Sequence, residues 1–311
     1  MQHSIFYRFT NFWLLMVALL LRCAIVHAGD FAPQVDLQCD QLTSPGCDTQ
    51  GTTAIRADSN DIVAWATAYS GYAAAASGSG CDRGSNLTAQ FSTPEKALGA
   101  AGNSDGNQEG FTLDIVSLGR GGCITLEFDT PIANGEGWDF AVFENGFYVS
   151  SPSQGFLELA RVEVSSDGAT FFEFEAITQG LFPVGGFSNV MDASDYDGFA
   201  GKFVAGYGVP FDLSNLPDDA ALNKQAITHV RLRDVIGNGT YFDDSTPPRP
   251  VYDPFATVSS AGFDLDAVAV RNQSSAEPFN VPLPSPFLFI LAALLSLAQG
   301  HKATRGSATT N

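Results

Sequence analysis

"ARVEVSSDGATFFEFEAI", residues 160 to 177, reads as two apolar-alternating runs joined at Asp167-Gly168. Asp-Gly between such runs accepts the positive φ angles of a tight turn, so the stretch predicts a β-hairpin with strands over 160–168 and 169–177. Runs of the same kind surround it: "CITLEFD" (123–129), "WDFAVFE" (138–144), "THVRLRDV" (228–235) and "FDLDAVAV" (263–270). Each is short, rich in Val, Ile, Thr and Phe, and bounded by Gly, Pro, Asn or Asp. Helical signals are confined to "PEKALGAA" (94–101) and "DIVAWATAY" (61–69). Many short strands with long loops between them predict an all-β fold, a jelly-roll-like β-sandwich with little helix.

The ends set the compartment. Residues 1–28 hold two Arg and no acid, then "NFWLLMVALLL" and "AIVHA", which predicts a signal peptide cut after Ala28, an uncleaved anchor being the alternative. A polar, Pro-containing lead-in (29–60), the sandwich (61–271), a polar linker (272–280) and a C-terminal tail (281–311) follow. The apolar run Phe287 to Ala298 is 12 residues, or 18 counted back to Val281, the short limit for crossing about 30 Å of hydrocarbon. Lys302 and Arg305 follow it, as in a segment stopped with its basic end in the cytoplasm. A further 13 polar residues from Gln299 argue against a GPI signal. The reading is an exported chain at the cell surface or outside the cell, held to the membrane at least transiently by residues 287–298.

All 34 acids lie between Asp30 and Glu277, with 11 of the 15 Lys and Arg, so the body carries 11 − 34 = −23. A surface so anionic excludes nucleic acid as a partner. Asp outnumbers Glu, and Asp favours turns and calcium loops over helices. With Cys23 lost in the signal, Cys39, Cys47, Cys81 and Cys123 remain, an even number in an exported chain. Three connectivities are open, of which Cys39 to Cys47 and Cys81 to Cys123 is preferred. No CxxC spacing suggests zinc.

The acids inside strand-like stretches need a physical reason. In "GFDLDAVAV", Asp264 and Asp266 alternate, so they project from one face about 7 Å apart, with Phe263 and Leu265 opposite. In a dry setting two such anions need a cation or donors, and calcium, with its six to eight oxygen ligands, suits them; a wet strand end is the alternative. In "GWDFAVFENGF" (137–147) the strand is apolar on both faces and therefore central, with Asp139 at its start and Glu144 at its exit. These two are assigned to the same calcium site as Asp264 and Asp266, against a turn capped by its own side chains. "MDASDYDG" (191–198) fails as an EF-hand, because its first and twelfth positions would be Ala193 and Val204. "NSDGNQEG" (103–110) is equally well a solvated loop. Tyr148, Tyr196, Tyr207, Tyr241 and Tyr252 lie in loop-like sequence, where rings stack on sugars beside acceptors such as Asn145. The ligand-binding candidates are Asn145, Tyr148, Tyr207 and Tyr241, against simple loop packing. Catalysis has little support: His229 stands alone in the body, and no G-x-S-x-G turn holds a nucleophile.

Two resemblances add to this. The tail start, Val281, Pro282, Leu283 and Pro284, resembles the PEP-CTERM class of bacterial sorting signals, which implies recognition by a sorting protease of the exosortase type. "TPEKALG", "VSLGRGGCITLEFDTPI", "GWDFAVFENGF", "ELARVEVSSDG", "AGKFVAGYGVPFDLSNL", "ITHVRLRDV" and "GFDLDAVAV" together resemble a family of bacterial secreted and cell-surface proteins. Their strand pattern is similar to galactose-binding-like or discoidin-like sandwiches, which implies loops that bind carbohydrate and calcium that steadies the fold. The expectation is a non-catalytic surface module with structural calcium and a glycan or extracellular matrix polymer as partner. The alternatives are an extracellular glycoside hydrolase using paired carboxylates and a purely structural matrix or adhesion protein.

Overall fold

The computed structural model describes residues 31–39, 44–72, 87–102, 114–151, 154–186 and 191–275. Eleven strands build two antiparallel sheets. They are β1 (Ile55–Arg56), β2 (Ala64–Trp65), β3 (Ala68–Ser70), β4 (Val116–Ser117), β5 (Cys123–Ile132) and β6 (Phe140–Glu144). Then come β7 (Ala160–Ser165), β8 (Phe172–Glu173), β9 (Tyr207–Phe211), β10 (Ile227–Asp234) and β11 (Asp264–Val270). One sheet runs β1-β9-β6-β11-β2, with β4 also paired to β11, and the other runs β8-β7-β10-β5-β3.

The sheets form a sandwich because their alternating apolar side chains share one buried cluster. Phe140, Val142, Val209, Leu265 and Val268 come from the first sheet, and Ile124, Leu126, Val162, Val230 and Leu232 from the second. Phe140 stacks on Phe211 at 5.3 Å between centroids, and Phe174 meets Phe211 edge-on at 5.1 Å. The fold class read from the sequence is therefore the one observed. β6 is central, buried along its whole length between β9 and β11, because its other face is also apolar: Ala141 and Phe143 pack with Ala267, Ala269 and Trp65. Opposite β6, β11 carries one extra residue between Leu265 and Ala267. That bulge changes which alternate residues reach the core, from Leu265 to Val268 and Val270.

The hairpin at 160–177 forms, with Phe172 opposite Val164 and Glu173 opposite Glu163. The Asp167 carboxylate caps its turn by accepting from Ala169 N and Thr170 N, both at 2.8 Å, and Gly168 takes φ 73°. Its second strand is shorter than expected, only Phe172–Glu173. Neither helix appears. Residues 61–69 supply β2 and most of β3, and 94–101 contributes only a 3-10 turn, Pro94–Ala97. The apolar spacing at 61–69 suits a helix face, but both short segments are taken up as sheet edges by β11 and β5. His229 lies beside β5 and β7, with Nε2 3.8 Å from Glu127.

The lead-in is built into the sandwich rather than preceding it. Cys39 and Cys47 are joined, with an S–S distance of 2.12 Å. β1 pairs with β9, and the Gln34 amide donates to Lys202 O at 3.1 Å. The buried Asp48 carboxylate accepts from Arg56 at 2.8 Å and from the Tyr207 hydroxyl at 2.5 Å. The sandwich thus takes in residues well before 61. Cys81, the signal region 1–28 and the tail 281–311 lie outside the described residues; Cys123 is buried at the start of β5. Among the described residues no helix is long and apolar enough to cross a membrane.

Candidate functional site

The acids named from the sequence go to three places. Asp139 and Glu144 stand at opposite ends of β6, about 16 Å apart at the rise of an extended strand, so they do not share a site. Asp139 is fully buried and is a tether: Oδ1 accepts from Gly135 N and Asn272 Nδ2, both at 2.8 Å, and Oδ2 from Leu213 N at 2.7 Å. Burial pushes its carboxyl up, and those donors oppose the shift. Asp139→Ala removes all three bonds and strands the buried Leu213 N–H, so a loss of about 2–3 kcal/mol is expected, read as a fall in the urea midpoint. An unchanged midpoint would show that the three bonds hold nothing.

Asp266 also has its own partner. Its two oxygens accept from Gly102 N at 2.9 and 3.2 Å, and burial, with Asp114 nearby, pushes it up to about 6. Asp264 and Glu144, in contrast, are neighbours. Glu144 is opposite Leu265 in the sheet, and Asn145 N donates to Asp264 O at 3.2 Å.

Around that pair lies a cluster that the sequence reading did not find. At the end of the sandwich where β6 and β10 finish and β7 and β11 begin, Glu144, Glu158, Asp234, Asp253 and Asp264 are all buried. Asp234, the last residue of β10, accepts from Gly121 N at 2.7 Å and from Phe263 N at 2.8 Å. Asp253 accepts from Leu159 N at 3.0 Å, and Glu158 from the Thr257 hydroxyl at 3.1 Å. Ser117 donates its hydroxyl to Asp264. The backbone of Asn145 and Gly146 favours the Glu144 carboxylate against this burial, yet its Oε2 is buried with no hydrogen-bond partner. Among the described residues no ion pair includes any of the five.

Desolvation and mutual repulsion both act on this group. Asp234 and Asp264 are pushed up to about 7, chiefly by burial. Glu144, Glu158 and Asp253 are pushed well above the usual carboxylate range, again by burial first. Asp264 is the strongest like charge felt by both Glu144 and Glu158. Arg120 offsets Asp234 only weakly. Anions this dry must bind protons or a cation.

The candidate ligand-binding residues each have contacts within the fold. Tyr148 donates its hydroxyl to Val35 O, Tyr207 is buried against Asp48, and Asn145 is buried beside the cluster. Tyr241 lies on a separate ribbon of Asn238–Phe242 with Pro250–Tyr252 and packs on the core. Two surface cavities are elsewhere. One of about 590 Å³ is lined by Arg56, Asp58 and Asp61, and one of about 500 Å³ by Phe182, Met191 and Asp195. Neither is lined by a member of the acidic cluster.

No protein-family model matches the chain, and no curated protein matches it.

Proposed function

We propose that the chain is an exported, cell-surface, non-catalytic β-sandwich module whose loop end is steadied by structural calcium and whose partner is a glycan or extracellular matrix polymer. The supporting observation is the buried cluster of Glu144, Glu158, Asp234, Asp253 and Asp264, with an orphaned carboxylate oxygen on Glu144. All-oxygen donors with no thiol or imidazole suit calcium rather than zinc. The same burial speaks against glycoside hydrolysis, because paired catalytic carboxylates must face a substrate and a water. Export and membrane attachment rest on the terminal sequences. So does processing by an exosortase-type protease at the PEP-CTERM-like start, Val281 to Pro284. The glycan is carried by the resemblance to carbohydrate-binding sandwiches alone.

Calcium at a hundred times its dissociation constant stabilises by about 2.7 kcal/mol. For a domain of this size, the melting temperature of the full chain is then expected to rise by about 5–10 °C over the chelator-treated protein. Identical melting curves in calcium and in chelator would remove the metal from the proposal.

A further inference from the structure

We infer that one calcium ion is held between Glu144, Glu158 and Asp264, and that Asp139 and Asp266 take no part in holding it. This rests on the calcium reading above and assigns its ligands. The choice among the acids follows from what already occupies their oxygens. Asp139 gives both oxygens to three N–H donors, Asp234 gives both of its own to Gly121 and Phe263, and Asp266 gives both to Gly102. Asp253 likewise accepts a fixed backbone N–H, from Leu159, whereas Glu158 and Asp264 receive hydroxyls, which can turn away from an incoming ion, and Glu144 Oε2 receives nothing.

The three come from separate elements that meet at one end: Glu144 from the exit of β6, Asp264 from the start of β11, and Glu158 from the approach to β7. Gly146 packs close beside them: a Cβ placed on it would lie 2.8 Å from Glu144 Oε2 and 3.1 Å from both Phe156 O and Leu157 Cδ2, so a carboxylate and a carbonyl oxygen flank the same glycine. Among the described residues no three acidic, histidine or cysteine side chains yet surround one point closely enough to hold a metal. Binding on this proposal requires the three side chains to move together, with carbonyl oxygens and water completing the shell, both being ordinary calcium ligands.

Bound there, the ion ties down the 254–262 segment that covers the cluster. Thr257 donates to Glu158 at 3.1 Å, and Arg120 donates to Thr257 O at 2.7 Å. Ser259 in that segment sits in the left-handed region at φ 76°.

The test uses the full-length protein, calcium titrated by calorimetry and melting followed in calcium and in chelator. Glu144→Gln and Glu158→Gln are expected to weaken calcium binding by at least about 30-fold and to abolish the calcium-dependent rise in melting temperature. In chelator both should melt at or above the wild type, because each replaces a buried carboxyl that must take up a proton by a neutral amide of the same shape. A residue serving only as a hydrogen-bonding support would melt lower. Asp266→Asn should keep both the rise and the affinity, and magnesium should give a smaller rise than calcium. A rise that survives in both glutamine variants, or that vanishes in Asp266→Asn, overturns the assignment while leaving the calcium reading intact. A wild-type protein that takes up no calcium sinks both. If Glu144→Gln does not fold, Glu158→Gln and Asp264→Asn decide the matter by the same two readouts.

Discussion

Gly201→Ala is expected to cost at least about 4 kcal/mol and to leave little folded protein. The glycine has φ 86°, and the added Cβ would lie 1.9 Å from Glu158 O and 2.8 Å from the Phe263 ring. An L residue pays about 1–2 kcal/mol for that backbone conformation alone. The overlap is with main-chain oxygen, which no rotamer change relieves. Ala200 is paired with Ala160 across the same contact, N to O at 3.0 and 3.2 Å, so the chain has no slack in which to retreat. The check is the urea midpoint of the variant. A midpoint within error of the wild type would mean that the 198–204 segment does not pass over Glu158 as described.

The second large effect concerns pH. In chelator, stability should fall as pH rises from about 5 to 8. Asp234 and Asp264 are pushed up to about 7 by burial, whereas an unfolded Asp titrates near 3.9. A carboxyl raised on folding gives stability that is full below the unfolded value and is lost as pH climbs through the folded one. About three pH units at 1.36 kcal/mol each make some 4 kcal/mol the upper bound for either group. The two share neighbours, so their contributions do not add. Carboxylates held low on folding act outside this window: Asp167, lowered to about 2 by the turn N–H groups of Thr170 and Ala169, loses its contribution only in stronger acid. Urea midpoints at pH 5 and pH 8, with and without calcium, test the expectation. A chelated protein more stable at pH 8 than at pH 5 would contradict a dry, protonated cluster.

What was readable in the sequence was local. Asp167-Gly168 announced its hairpin because the turn chemistry lies in adjacent residues. Two-sided apolar character placed β6 in the centre of its sheet for the same reason. Residues 61–69 misled because strand partners outside the segment decide its state. Of the cluster, Glu144 and Asp264 stood out as acids in apolar runs. Glu158, Asp234 and Asp253 come from three further places with no fixed spacing, and the only signal is an acid beside apolar residues, in "LEL", "LRDV" and "VYDP". Asp139 was grouped with Glu144 because five positions look close in a string, although they span a whole strand.

Each sheet ends on strands of two or three residues: β1 and β2 flank the first, β8 and β3 the second. Among the described residues these border strands themselves offer a neighbouring molecule only two or three residues of backbone to zip against. Copies packed at high local density would resist fibril-like association through these borders even when their negative charge is screened by salt.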